Sequence, residues 1–572
     1  MCRSRVLVVV VALCALSCGG TAPPPAAALS STWKAPPILA QVPADTPYLF
    51  ASLEPLSENL RQRIYAQFNR ELVTLIERAQ HISAEQVLEH TKDRSLEPWI
   101  RAGLAIAREL DAKDAVHWDR QLGFDARAQI ALYGLSVWPV LRIEVADPVR
   151  LRGVIQRAMT ASGTSLPQAT LEGRSYWITR AGVLTVIAAV LEHEAVVAMV
   201  PTPAVATALP LVLGTQAPAQ RLVSTATIPE LLARHHFDSH FAGYIDLQRV
   251  LDIFAGRRPT ALDAPLHAMT GPFPAECTAD LDRLVGLAPR VAMGYQRIDE
   301  VGFAGAAIFE SAPPVTSALE RLRAAAPEVA TSAPEQAMFA LGAAFNFDEA
   351  VALLRGVTAE IHQHPFSCPW LTDVNPEAAS LATKLTRPVP PALSKLRGGS
   401  LVVDRVQIMP PSIDGHVMVS GGSVGDLFTY ASILAPALAG VPVKRDGVPI
   451  ELSAQQLGIP MMSRLHVAMT ADRLVLAAGD DSARHASDAL AVPVPRSSPL
   501  FTMAIDGPRL QQLLRSISAT DPNLGSVGKV QMSLDVKDDG VGFEFSGTWS
   551  GHTLPPLPPP PPPSGAMPAA QP

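Results

Sequence analysis

The sequence is poor in the residue types by which several large function classes can be recognised. Aromatic residues make up 5% of it and lysines number eight beside 38 arginines, with 53 acidic residues outnumbering 46 basic ones. Too few rings are present for a base-stacking platform, and no basic footprint for nucleic acid exists. Outside the N-terminus, cysteine is represented by Cys277 and Cys368 alone. No apolar run approaches the roughly 20 residues that a membrane-spanning helix requires. Neither HExxH nor CxxC occurs beside the histidines, and no Rossmann glycine signature or haem-attachment motif is present. Gly525-Ser526-Val527-Gly528-Lys529 lacks the spacing of a phosphate-binding loop and continues into Val530 rather than Ser or Thr. No cofactor is expected. What remains is a chain of 572 residues, 48% hydrophobic and 17% charged. That composition supplies ample core, excludes wholesale disorder, and at this length suggests several domains or a repeat array.

The N-terminus is built differently. Arg3 and Arg5 precede an apolar run from Val6 to Leu16, the lengths of the n- and h-regions of a signal peptide. Ala15-Leu16-Ser17-Cys18 resembles the lipobox of bacterial lipoproteins, with Ala15 where the commonest pattern has leucine. The resemblance implies that residues 1–17 are removed and that Cys18 carries a diacylglyceryl group and becomes the acylated N-terminus. With Gly19 rather than Asp next, it further implies sorting to the outer membrane. The alternative is an ordinary secretory signal cut near Ala26–Ala28, which discards Cys18.

Export bears on the remaining cysteines. In an oxidising compartment Cys277 and Cys368 are more often paired than free, the alternative being two buried thiols.

Between a Pro/Ala-rich tether (18–41) and a Pro-rich tail (553–572), one theme recurs. An apolar stretch ends in an acidic or turn residue, and a helical pattern follows. It starts at Tyr48, Phe241, Met338 and Leu500, with Asp246, Asp348 and Asp506 in the later copies. An aspartate there caps the next helix and complements its dipole. Ile130–Val145, Val183–Val200, Arg290–Phe309, Leu465–Ala478 and Val530–Trp549 read as hairpins, the last turning at Asp539-Gly540. Adjacent hairpins argue against parallel βαβ crossovers. The expected fold class is α+β: repeated units of antiparallel sheet with helices packed on one face. Pro/Gly-rich stretches place boundaries between α+β domains at 42–220, with a helical insertion, at 221–398 and at 399–552. The tail, with Pro558 to Pro563 unbroken, is expected to be polyproline II or disordered.

The opening Val42-Pro43-Ala44-Asp45-Thr46-Pro47, together with the strand–Asp–helix repeats, resembles a group of uncharacterised exported bacterial lipoproteins. The resemblance implies export and repetition, and no activity.

Two constellations carry possible chemistry. Gly421-Gly422-Ser423-Val424-Gly425 matches the nucleophile elbow of α/β-hydrolases, with Asp480 or Asp481 and His485 as partners. Those partners lie within six residues of one another and no parallel sheet is expected, so a helix-capping Ser423 is the better reading. His235, His236 and His240 could ligate a metal in an exported protein, but adjacent residues of a strand point apart, and a polar loop is favoured. The expectation is a non-enzymatic cell-envelope protein that binds or scaffolds, held to the membrane by its lipid and meeting an unknown envelope protein or lipid partner. The alternatives are a carrier or sensor of an apolar ligand and, last, a serine hydrolase using Ser423.

Overall fold

A computed structural model describes residues 34–549, apart from 92–93, 95–96, 111–117, 126, 258, 272, 327–336, 409–410, 423, 435–437, 456, 458–463 and 518–526. The expected signal peptide, Cys18, Ser423 and the proline-rich tail lie outside the described residues. No described helix is long and apolar enough to cross a membrane.

The described residues form a mixed α+β structure around one nineteen-stranded sheet. Its first arm comprises β1 (Tyr48–Ala51), β2 (Ile130–Leu135), β3 (Trp138–Glu144), β4 (Gln168–Leu171), β5 (Arg174–Ala181), β6 (Leu184–Val190), β7 (Glu194–Pro201), β8 (Ala242–Asp246), β9 (Arg290–Ile298) and β10 (Gly302–Glu310). The second comprises β11 (Phe339–Ala344), β12 (Leu396–Ile408), β13 (Pro411–Gly421), β14 (Ile450–Leu452), β15 (Leu465–Met469), β16 (Arg473–Ala478), β17 (Phe501–Asp506), β18 (Val527–Lys537) and β19 (Gly540–Trp549). Every pairing is antiparallel, in the order β4-β5-β6-β7-β3-β2-β1-β8-β9-β10-β19-β18-β17-β11-β12-β13-β16-β15-β14. The arms meet where β10 pairs with β19. Outward from that seam both arms follow the same succession: a hairpin, two strands that each start a strand–helix segment, then two further hairpins. Pairing of β1 with β8 and of β11 with β12 carries the ladder across both expected domain boundaries, near 220 and 398.

The helices that matter for position are α1 (Glu58–His81), α2 (Glu97–Glu109), α3 (Pro148–Ser162), α4 (Val205–Leu213), α5 (Thr227–His235), α6 (Leu247–Phe254), α7 (Ala275–Val285), α8 (Phe347–Gln363), α9 (Val424–Leu434), α10 (Ser482–Ala491) and α11 (Gly507–Ile517). Their starts are fixed by capping. Asp147, Asp246 and Asp506 each accept a hydrogen bond from the backbone N–H three residues on, at 2.8, 2.8 and 3.0 Å. Ser57 does the same for α1. At α8 the pattern differs: Asn346 holds the cap position without a side-chain bond, and Asp348 sits in the first turn.

Cross-strand register separates the two faces of the sheet. Leu49, Tyr133, Val140, Ala198 and Ile187 point one way, into the main core with Ala208 and Val212 of α4 and Ile228 and Leu231 of α5. Phe50, Leu132, Leu141, Val197, Ala188 and Trp177 point the other way.

The expectation of helices on one face is corrected here. Leu151 and Met159 of α3 pack with Trp177, Ala188 and Ala195 on the second face. At the far end Phe428 of α9 packs with Leu465, Val467 and Leu474 on that same face. The cause is legible in β6, where Val186-Ile187-Ala188-Ala189-Val190 is apolar without alternation, as a strand covered on both sides must be.

A disulfide joins Cys277 on α7 to Cys368, which follows α8 (S–S 2.02 Å). It ties a helix of the first arm to a helical pair of the second. Asp280 accepts from the N–H groups of Ser367 and Cys368 at 2.7 Å each, and Arg283 lies 4.5 Å over the Phe366 ring.

Candidate functional site

Three places hold arrangements beyond ordinary packing. The first is a cleft of about 1210 Å³ at the seam, lined among others by His235, Arg283, Glu310, Arg323, Asp535 and Asp539. It begins with the end of α5. His236 adopts a left-handed conformation (φ 54°) that stops the helix, and Phe237 N–H closes it onto the Leu232 carbonyl. This turns the His235 ring inward, 1% exposed, with Nε2 2.8 Å from Glu310 and Nδ1 3.3 Å from Asp539. Glu310 also takes Arg290 through both carboxylate oxygens, at 2.9 and 2.7 Å. Burial pushes the Glu310 carboxyl up, but the hydrogen bonds from His235 and Arg290 outweigh it and the net shift is downward. Asp535, near Arg323, is instead raised by its burial.

Chemically, this is a fastener. Asp539 comes from the β18–β19 turn and the other members from the first arm, so the cluster spans the junction. Both ring nitrogens of His235 face carboxylates, which leaves no lone pair directed at a metal. His240 turns instead to Asp238 at 3.5 Å, which, against its partial burial, raises its pKa. The histidines singled out in the sequence are thus not gathered, and among the described residues no group of three His, Cys, Asp or Glu could hold a metal ion.

The second place is a cleft of about 1010 Å³ lined by Asp404, Arg405, Asp414, His485 and Arg509, among others. Asp404 stands at the β12–β13 bulge, 3.6 Å from His485 Nδ1 on α10. Burial raises the Asp404 carboxyl against the opposing charge of His485. Arg405 is held by Asp414. The partner of His485 is therefore Asp404, not Asp480 or Asp481. Gly421 and Gly422 lie at the opposite end of β13 from Asp414, about seven residues away and on the order of 20 Å. The structure does not bring His485 to the Gly422 end of that strand.

His416 shares this region, and its pKa is pushed down to about 4 by burial and by the neighbouring His485 charge. An unfolded histidine protonates near pH 6.5, so between about 6.5 and 4 the unfolded chain binds more protons. Stability therefore falls as pH drops through that window, by about 2–3 kcal/mol. Urea denaturation at pH 7.5 and 4.5 tests this: His416→Gln is expected to lose about 2 kcal/mol less than wild type between the two. Equal losses would refute the assignment.

The third place is the second face of the sheet. From β6 to β14, bulge positions aside, each register-paired residue on it is apolar, glycine or tyrosine. The charged residues of these strands, including Arg142, Arg290, Glu310, Asp535 and Glu544, point to the opposite face. Helices α3 and α9 cover its two ends, and at the seam Val315 and Leu319 of the helix Pro313–Glu320 pack with Val536 and Val541. Between them Phe309 is 45%, Phe543 39%, Val417 44% and Leu476 39% exposed. Val417 and Leu476 are directly paired, and Phe309 lies against Val541, two residues before Phe543. These are two exposed apolar pairs, separated by β18, β17, β11 and β12, on a face without register-paired charge.

No family model, no curated protein and no solved structure matches the chain.

Proposed function

We propose that the chain is a non-enzymatic lipoprotein of the bacterial cell envelope, built from two copies of one antiparallel α+β unit, that works by binding. The observation that carries the reading is the uncharged, half-exposed face of the sheet. Its backbone groups are consumed by the ladder, so it offers a partner apolar area and almost nothing else. Each Å² covered is worth about 25 cal/mol, and a polar partner group placed there would lose its water without compensation. The matching succession of strands in the two arms supports duplication. An acylated Cys18 would hold the body close to the membrane, since the chain from there to Lys34 reaches at most about 58 Å.

The absence of charge from the face also favours a more specific reading, a carrier or sensor of an apolar ligand. An acyl chain asks for no hydrogen bond and fits a surface that supplies none. A hydrolytic role for Ser423 gains no comparable support, because His485 pairs with Asp404 at the end of β13 opposite Gly421 and Gly422.

Titration of the full-length protein with a long-chain fatty acid bearing a polarity-sensitive fluorophore tests the reading. Saturable binding is expected, weakened about tenfold or more in the double variant Phe309→Glu/Phe543→Glu, with unchanged circular dichroism. Wild type without saturable binding, or a variant that binds as tightly, would refute it.

A further inference from the structure

The fastener at the seam contains a histidine, the side chain type that gains and loses charge between about pH 5 and 8. His235 ends α5, and its ring nitrogens face carboxylates from different arms, Glu310 of β10 and Asp539 of the β18–β19 turn. That turn is otherwise held to the first arm by backbone. Ser311 N–H donates to the Asp539 carbonyl at 2.8 Å, and Gly540 stands opposite Glu310 at the end of the ladder.

The two contacts of the ring are unlike. Glu310 takes Arg290 through both oxygens, and Arg234 of α5 lies 3.6 Å away. Held below the ordinary carboxylate range, Glu310 is charged at neutral pH and can only accept. The 2.8 Å contact therefore places a proton on Nε2 of His235. A neutral imidazole has no other, so Nδ1 then turns a lone pair toward Asp539, 3.3 Å away. Asp539 has room for a donor there. Its Oδ2 is closed to solvent without a hydrogen bond, and among the described residues its ion-pair partner is His235. Other charged groups of the cleft are engaged elsewhere: Lys537 with Glu544, Arg323 with Asp535, Arg283 with Asp280, and Asp282 with Arg257. Asp538 adds negative charge next to Asp539, and His236 follows the ring in sequence; both line the same cleft. The carbonyls at the C-terminal end of α5 favour a cation at its last residue.

We infer that His235 is a proton-operated latch between the two arms. A second proton, taken from water onto Nδ1, is shared with Asp539 and draws the β18–β19 turn against the end of α5. Its loss sets a lone pair before a carboxylate and lets the turn go. Acidification thus tightens the seam, opposite in sign to the loss of stability at His416. Because His235, Glu310 and Asp539 all line the seam cleft, the latch also governs how readily that cleft opens. The inference does not rest on the apolar-ligand reading.

Hydrogen exchange of the full-length protein at about pH 8 and pH 5, corrected for the intrinsic pH dependence of exchange, tests the latch. The reporters are the Ser311 amide and the peptide spanning 537–541. Protection there is expected to be about tenfold higher at the lower pH, the size set by one added hydrogen bond to a charged group. His235→Gln keeps a donor for Glu310 but cannot take a second proton, and Asp539→Asn removes the carboxylate from the turn. Each is expected to abolish the difference with unchanged circular dichroism. Equal protection at the two pH values in wild type, or a difference that survives in either variant, overturns the inference. Two-bond proton–nitrogen spectra of the protein labelled with nitrogen-15 histidine give an independent reading. His235 is expected to carry one proton, on Nε2, at the higher pH and one on each nitrogen at the lower. A ring in the same state at both, or one neutral with its proton on Nδ1, refutes the latch.

Discussion

Replacing Arg142 by alanine is expected to destabilise the protein by about 3–5 kcal/mol, the range for breaking a buried ion pair. Arg142 is the largest side chain with no solvent exposure, placed mid-strand on the core face of β3. Its guanidinium pairs with Glu194 of β7, donates through Nε to the Tyr133 hydroxyl at 3.1 Å, and through Nη2 to the carbonyls of Leu211 and Val212 at 3.2 and 2.7 Å. One cation thus closes the last turn of α4, whose C-terminal carbonyls have no helical partner, and complements the negative end of its dipole. Truncation leaves the Tyr133 hydroxyl and two carbonyls without it in a buried site, while Glu194, 22% exposed, keeps some contact with water, so the loss comes from stranded polar groups more than from the attraction removed. For the same reason Arg142→Met combined with Glu194→Leu is expected to be the milder change, since charge is removed from both sides. Urea midpoints of the three proteins decide the matter. A loss below about 1 kcal/mol for Arg142→Ala would show the site to be wetter than its geometry implies.

The same strand shows what the sequence could and could not disclose. Hairpins were legible because their turns are local: Ser136, with φ 57°, breaks the run from Ile130 to Val145 where the reversal falls. Aspartate caps were legible for the same reason. The hairpin β12–β13 was not, because Gly398-Gly399 at its start had the composition of a boundary, whereas the glycines allow close approach of strands: a Cβ on Gly398 would lie 2.7 Å from the Ala343 carbonyl. In β18 the alternation of Val530, Met532, Leu534 and Val536 with Gln531, Ser533, Asp535 and Lys537 announces two unlike faces. Alternation does not say which face the helices will cover. Here Asp535 and Lys537 line the seam cleft, whereas Val530, Met532 and Leu534 lie half-buried on the other face and Val536 is buried against Val315 and Leu319.

The seam cluster was out of reach for another reason. His235 and Glu310 are 75 residues apart, and neither carries a local signal of the other. Asp404 meets His485 only because a bulge reorients it. Both are products of tertiary closure, whereas His235 and His236 drew notice for an adjacency that the fold does not use.

Removing the bridge between Cys277 and Cys368 is expected to cost about 4–5 kcal/mol, because the loop it closes, with a sequence separation of 91, is long. The effect should be concentrated at the contact between arms. Cys277 sits on α7, between β8 and β9, and Cys368 follows α8, between β11 and β12, so the bond crosses from one arm to the other beside the β10–β19 ladder. Its surroundings are a small cluster in which Val357, Ile361 and Phe366 pack around the two sulfurs. With the bond gone, α7 is held to the second arm by that cluster, by the hydrogen bonds to Asp280 and by Arg283, which lies over Phe366 and donates to the His364 carbonyl. Hydrogen exchange should accordingly quicken first in α7, α8 and the segment around Phe366, and much less in β2, β3 and β7 at the far end of the first arm. Cys277→Ala/Cys368→Ala and the reduced wild type should give the same lowered urea midpoint, and adding reductant to the variant should change nothing further. A midpoint within about 1 kcal/mol of the oxidised wild type would mean that the arms are held by the sheet and the His235–Glu310–Asp539 cluster without the covalent tie.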